Sequence, residues 1–495
     1  MAVVIGLDLG TTNCKAVALG ENGTVLAAVS QAYPLQSTRP GWAEQDPRQV
    51  WVGAARALRA LADRSALASV AGLCVSGAMH SVLPIGEEGN PLALAMTWAD
   101  QRAAGCVDSL RSQTDAHALY LRTGCPLRAT YHAPRLRWWL EQGAETVRGA
   151  ARFVAIKDWI LHRLTGVWAT DWSLASTSGL FDIRSLTWVD EALALAGVPE
   201  DRLCPVVSPE EVIGVLTKQA AMRTGLPEGL PVVAGASDGA LANVGAGAVD
   251  PGQLVVTVGT SGAIRRIVRS PWFDPEERTW CYVLVKERWF AGGAINNGGL
   301  ALEWVRERFY PELGAEQGYE AMLREAAAVA PGAEGVLMLP YLTGERSPHW
   351  QAGLSAVIYG LGLQHTRAHV ARAAMEGVAF CLADVWQALA EETVPAQPAR
   401  LTGGITQSLL WAQIVADVLG IALAPVQVAD ASALGAAVLG HWALGYSRSL
   451  GWRPHKVPAS LIQPDAGRHS CYQRQHQAFQ DLSRLVARGP RAPQP

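Results

Sequence analysis

The chain has 495 residues, too many for one hydrophobic core, so two domains are expected. It is 49% hydrophobic and 17% charged with a formal net charge of −3, the composition of a soluble enzyme with no basic footprint for nucleic acid. Its eight cysteines form no Cys-x-x-Cys pair or His/Cys cluster, which argues against a zinc site or a disulfide framework and fits a reducing cytoplasm; no apolar run approaches a membrane span.

The start, Met1-Ala2-Val3-Val4-Ile5, has no basic region of a signal peptide and runs straight into a strand. Residues 4–19 read as a buried strand, a tight turn through Gly10-Thr11-Thr12 and a returning strand. Asp8 stands at the end of the apolar run, beside a glycine, two hydroxyls and Lys15. Glycine lets backbone N–H groups approach an anion, hydroxyls donate to phosphate oxygens, and a carboxylate can hold a magnesium ion. The same residues also suit an ordinary hairpin whose Asp caps the turn.

Residues 23–30 add a third strand. Asp46-Pro47 is an N-cap followed by proline at the first helical position, predicting a helix over 48–64. Residues 70–76 form a strand followed by Gly77-Ala78-Met79-His80-Ser81, and ligand groups of open α/β sheets gather at such strand ends. There His80 either donates to a polyol hydroxyl or is a satisfied loop histidine. A strand over 92–97 ends in Trp98-Ala99-Asp100-Gln101-Arg102, which is either a sugar shelf or a local Asp–Arg pair. The 18 tryptophans suit sugar binding or simple packing.

Residues 103–165 read as mainly helical, with Lys157 either reaching a cleft or marking a basic helix end. Residues 171–182 read as a small-residue loop. A strand from Pro231 then presents Asp238 at the start of a small-residue helix, as a general base for a substrate hydroxyl, an N-cap, or both. Residues 245–252 form a Gly/Pro-rich boundary.

The second half opens like the first. Thr257-Val258-Gly259-Thr260-Ser261 lines up with Asp8-Leu9-Gly10-Thr11-Thr12 at an offset of about 249 residues, which implies an internal duplication with a cleft between the halves. One half keeps an acid for a metal and the other a hydroxyl. Residues 289–299 are a strand feeding a glycine-rich turn and a helix from about 300. A strand over 336–342 precedes a dense polar loop, 366–392 is a long amphipathic helix, and 400–408 is strand, Gly-Gly turn and helix. The last core helix is expected at 432–446. Domains are expected at 1–247 and 248–487, with a disordered tail at 488–495.

Together and in this order, these stretches resemble the FGGY family of carbohydrate kinases over about residues 3 to 485. The family's phosphate-1 motif matches Asp8-Leu9-Gly10-Thr11-Thr12, its phosphate-2 motif matches Thr257–Ser261, and its adenosine motif matches Leu401-Thr402-Gly403-Gly404. Its signature near the hinge matches Gly344-Glu345-Arg346-Ser347-Pro348-His349-Trp350, and its catalytic base falls on Asp238. The resemblance implies an α/β fold of the two-domain, actin-like ATPase (ribonuclease H-like) type, with duplicated βββαβαβα domains around a cleft.

It also implies ATP and Mg2+, held by Thr11, Thr12, Asn13, Lys15, Gly259, Thr260, Gly298, Gly299, Gly403, Gly404 and Ser408, with the metal at Asp8 and Asp238. Met79, His80, Ser81, Trp98, Asp100, Arg102 and Asp238 are the implied sugar-binding residues. Residues 76–81, 97–102 and 292–299 are most similar to the gluconate kinases; Ala78 and Ser81 stand where xylulose kinases usually carry Gln and Gly. The expected reaction is phosphorylation of the terminal hydroxyl of D-gluconate, with a xylulose or other polyol kinase as the alternative and an actin-like ATPase switch as a third reading. A substrate carboxylate needs a cation, for which Arg102, Lys157 and Arg346 are candidates. Cytoplasmic location follows, and a homodimer is the assembly common among such relatives.

Overall fold

A computed structural model of the chain describes residues 2–64, 70–389, 397–428, 430–451 and 461–488. Its two six-stranded sheets are built on one plan. In the first, the order is Val212–Val215, Pro231–Val233, Val70–Gly77, Val3–Leu9, Asn13–Gly20, Val25–Ala32. Val3–Leu9 pairs antiparallel with its hairpin partner and parallel with Val70–Gly77. In the second, the order is Trp280–Val285, Arg288–Ile295, Gly262–Val268, Leu254–Val258, Ala399–Thr402, Leu423–Pro425, with the same directions around Leu254–Val258. The 249-residue repeat is therefore visible as five equivalent strands in each sheet, with the sixth on opposite edges, Val212–Val215 in the first and Trp280–Val285 in the second.

Val3–Leu9 is apolar without alternation, apart from Gly6 and Asp8, because both faces of its sheet are covered. On one face lies the helix Pro47–Ala62, whose Val50, Ala54 and Leu58 pack with Ile5 and Leu7. Its start is as expected: Asp46 accepts from the Arg48 amide at 2.9 Å, with Pro47 the first helical residue. On the other face lie Asp238–Gly245 and Ala431–Ala443. Small residues let them approach closely: a Cβ on Gly6 would stand 1.9 Å from the Ala433 carbonyl oxygen, and one on Gly435 1.9 Å from that of Leu241. A helix from late in the chain thus lies on the first sheet.

The second sheet packs on Gly299–Phe309, Arg367–Leu389 and Leu409–Leu419. Positions 390–392 of the expected long helix lie outside the described residues, as do 489–495 of the expected tail. Several elements differ from the sequence reading. The strand expected at 92–97 is only Ala95–Met96, and the loop expected at 171–182 contains the helix Trp172–Ser176, capped by Asp171. The helix at Ala431–Ala443 is not the last: Ala466–Arg488 follows, burying Tyr472, His476 and Phe479. Its buried stripe contains a histidine and a serine, satisfied by Asp384 and Tyr341, so it reads as polar.

Candidate active site

The two hairpin turns face the same cleft. In the first, the Gly10 amide donates to the Asn13 carbonyl at 3.0 Å. Tyr33 Oη and Gln45 Nε2 donate to the Gly10 carbonyl at 2.7 and 3.1 Å, and Gln45 also to that of Thr11 at 2.6 Å. These bonds occupy the Gly10 amide and the carbonyls of Gly10 and Thr11, which leaves the amides of Thr11 and Thr12 for an anion. In the second turn, the amides of Gly298 and Gly299 donate to the carbonyls of Thr260 and Gly259, which fixes the start of Gly299–Phe309 against it. A Cβ on Gly298 or Gly403 would strike the backbone of this turn, at 2.7 Å from Ser261 and 2.4 Å from Val258.

The duplication extends to side chains. Asp8 lies opposite Ser76 in the first sheet, and Ser76 Oγ donates to its carboxylate at 2.5 Å. At the equivalent ladder position of the second sheet, Thr257 lies opposite Thr402, hydroxyl to hydroxyl at 2.9 Å.

Asp8, Asp238 and Asp430 form one electrostatic group. Burial first, then the neighbouring Asp430 and Asp238 carboxylates, push the Asp8 carboxyl well above the ordinary carboxylate range. Lys15 pairs with Asp430 at 2.6 Å, and Asp430 also caps Ala431–Ala443 by accepting from Ala433 at 2.7 Å. Buried carboxylates that repel one another are relieved by a cation. Among the described residues no three His, Cys, Asp or Glu side chains are placed to share a metal. Mg2+ does not need them, since it usually keeps several waters and takes one or two carboxylates with substrate phosphates. The residues present fit that ion.

Beyond the second turn opens a cavity of about 620 Å³, walled by Leu300, Leu302, Tyr319, Leu323, Ile405 and Trp411. Gly259, Thr260, Gly299, Gly404 and Ser408 also line it. Space for a Cβ is open at Gly259 and Gly404, so no packing in the protein requires glycine there. An apolar slot of this size beside bare backbone fits a nucleoside. Ser408 is occupied locally, accepting from the Trp411 amide as an N-cap.

At the other end, Asp238 is the first residue of its helix. The N-cap is Ser237, not Asp238, so the capping reading moves back one residue. Asp238 Oδ1 accepts from the amides of Gly239 at 2.7 Å and Met79 at 3.4 Å. Burial raises its carboxyl above the usual range, and the Arg265 guanidinium opposes this most strongly. Arg265 Nη1 donates to Thr257 Oγ1 at 3.1 Å, and its buried Nε has no partner among the described residues. Arg346 lies 4.4 Å over the Trp98 ring, bonded to Asn296 Oδ1 and the Ile295 carbonyl rather than to a carboxylate. Trp98 Nε1 donates to Thr11 Oγ1 at 3.1 Å, joining the loop after Ala95–Met96 to the first hairpin turn.

His80 takes positive φ, 64°, a conformation that costs energy for a non-glycine residue and collects at functional sites. Its Nδ1 lies 2.8 Å from the Thr177 carbonyl, so Nδ1 carries the proton and Nε2 is left as an acceptor. Burial, then Arg135, holds its pKa down at about 3. The donor role expected for His80 is thus taken up by Thr177.

Four expected residues are satisfied inside the protein. Arg102 forks onto Asp100 at 2.9 and 2.6 Å, pairs with Glu44 at 2.8 Å and lies under the Trp42 ring, with Asp100 fully buried. Ser81 Oγ accepts from the Ile156 amide at 3.2 Å. Lys157 does not reach the cleft: it forms a fully buried ion pair with Asp171.

The sequence reading did not single out Arg135, Arg265 or Asp430. Arg135, fully buried in a helix, donates to the carbonyls of His80, Thr97, Asp100 and Ala129, and so holds the loops at His80, Thr97–Asp100 and Ala129 together. No local pattern marks Arg135 or Arg265, whose partners at His80, Thr97 and Asp238 lie far away in sequence. Only Asp430 carried a signal, as an Asp preceding a small-residue helix.

A model of the N-terminal domain of the FGGY family of carbohydrate kinases matches residues 3–245, and that of its C-terminal domain matches 254–444. The chain is 34% identical to the gluconokinase of Bacillus subtilis over 450 residues, 89% of this chain and 88% of that one. Among solved structures, it is similar to a gluconate kinase and a xylulose kinase of Lactobacillus acidophilus, with TM-scores of 0.92 and 0.93. Each is 29% identical to it and superposes over 99% of both chains. No helix among the described residues is long and apolar enough to cross a membrane.

Proposed function

Since the chain belongs to the FGGY family of carbohydrate kinases, we propose that it transfers the γ-phosphoryl group of ATP to the terminal hydroxyl of D-gluconate, giving 6-phospho-D-gluconate and ADP. The observation that carries the choice of a sugar acid is charge. Two buried guanidiniums, Arg265 and Arg346, share the sugar end with Asp238, and the Glu345 carboxyl beside Arg346 is pushed up to about 7 by burial, so it offsets that guanidinium only in part. An uncompensated buried cation is costly, and a substrate carboxylate supplies what is missing. Of the three cations expected from sequence, Arg346 remains after Asp100 takes Arg102 and Asp171 takes Lys157.

The chemistry follows from position. Adenosine occupies the slot at Gly404 and Trp411, and the phosphates lie across the two turns, at Thr11, Thr12 and Thr260. Mg2+, held by Asp8 and Asp238, neutralises phosphate charge when bound. Asp238, its carboxyl raised by burial, accepts the proton of the attacking hydroxyl. Arg265 and Lys15 offset the negative charge that develops on the transferred group, and His80 accepts a hydrogen bond from a sugar hydroxyl. Residues 1–247 supply His80, Trp98 and the base, and 248–487 supply the nucleotide slot and the two sugar-end arginines. The enzyme works in the cytoplasm, where ATP is available, and as a homodimer.

ADP release is measured with magnesium–ATP and D-gluconate, D-xylulose, L-ribulose, glycerol or no sugar. A response to gluconate, with 6-phosphogluconate as product, is expected. A response to xylulose alone would move the specificity to the pentuloses and leave the phosphate site intact. Hydrolysis unaffected by any sugar would overturn the kinase reading.

A further inference from the structure

Away from the phosphate turns, a second cavity of about 720 Å³ opens among residues of the second half of the chain. Its walls come from four separate stretches: the turn at Asp250-Pro251, Arg269 after the strand Gly262–Val268, the turn around Lys286-Glu287-Arg288, and the segment Arg448-Ser449-Leu450. Trp442, from the last turn but one residue of Ala431–Ala443, completes it. That helix has Asp430 at its other end, so its 13 residues put about 20 Å between this cavity and the phosphate turns.

The charge is unbalanced. Arg269, Lys286, Arg288 and Arg448 face only Asp250 and Glu287, and none of the four has an ion-pair partner among the described residues. Four cations left unpaired around one concavity, with Trp442, Val285 and Leu450 as apolar wall, suit an anion that also carries an organic body. A phosphate monoester is doubly charged and accepts bidentate arginine bonds, and a sugar ring stacks on an indole.

We propose that this cavity is a second ligand site, for a small phosphorylated metabolite, distinct from the catalytic cleft. It does not depend on which sugar the enzyme phosphorylates.

The test is calorimetric titration of glucose 6-phosphate and, separately, inorganic phosphate into the protein saturated with magnesium–ADP, at constant ionic strength. Wild-type protein and the variants Arg288→Ser/Arg448→Ser and Arg288→Lys/Arg448→Lys are compared. Glucose 6-phosphate is expected to bind wild type at least tenfold more tightly than the Ser variant, with the Lys variant between them. Turnover without added sugar phosphate should be the same in all three, which also shows that the variants fold. Equal binding by wild type and the Ser variant, or none by wild type, would overturn the site. Inorganic phosphate binding as tightly as glucose 6-phosphate would overturn the assignment to a metabolite.

Discussion

Lys157 separates a substrate-binding role from a positioning role. It and Asp171 are fully buried and paired, with the Lys157 stem against Gly77, where an added Cβ would meet it at 2.6 Å. Asp171 Oδ1 accepts from the Leu174 amide at 2.9 Å and so caps Trp172–Ser176. Ser173 in that helix bonds Ser237 Oγ at 2.9 Å, and Ser237 caps the helix that begins at Asp238. The pair therefore holds the base through two helix caps. Lys157→Met keeps the stem and removes the charge, leaving Asp171 buried and unpaired, a loss of about 3–5 kcal/mol. Lys157→Met/Asp171→Asn leaves no bare charge and keeps a capping oxygen, so it should recover most of that loss. Guanidinium unfolding followed by tryptophan fluorescence measures both. In turnover assays the single variant should lose kcat/KM to a similar extent with gluconate and with xylulose, since it displaces Asp238 rather than a carboxylate anchor. A Lys157→Met protein within about 1 kcal/mol of wild type that selectively lost gluconate would refute the reasoning and return Lys157 to the substrate.

Arg346→Met should lower kcat/KM for gluconate by about 10- to 150-fold, the equivalent of about 1.5–3 kcal/mol for a charge-assisted bond, and penalise xylulose less; parallel steady-state kinetics on the two sugars checks this. Gly404→Val places a side chain in open space at the nucleoside slot, so KM for ATP should rise while the unfolding midpoint stays where it is. Asp158 carries a pH dependence. Burial pushes its carboxyl up to about 7. The unfolded chain releases this proton near pH 4 and the folded one near 7, so its contribution to stability is fully present below pH 4 and lost as pH rises to 7. Asp158→Asn should flatten the fall of the unfolding free energy across that window, on the order of 3 kcal/mol, in denaturant titrations at pH 5, 6, 7 and 8.

By itself the sequence determined the features that local chemistry writes down. Apolar runs ending in Gly-Thr-Thr and Gly-Thr-Ser marked both hairpins, and their repeat at half the chain length marked the duplication. Asp46-Pro47 marked a helix start, and an acid at a strand end marked Asp8. Each of these depends on residues within a few positions of one another, so a linear reading reaches them. Tertiary structure decided what each charge faces. Arg102 reads in sequence as a sugar contact or as half of a local pair with Asp100; the structure selects the pair and adds Glu44 from far along the chain, while Lys157 is taken by Asp171. Arg265 looks like an ordinary strand residue, yet it faces Asp238 from the opposite half. Asp430 reaches the phosphate turns only because glycines at 6, 245 and 435 let its helix approach the first sheet closely. The physical reason is one and the same. Hydrophobic periodicity and turn geometry act along the chain, whereas a buried charge is assigned its partner by long-range packing, and no local pattern records that choice.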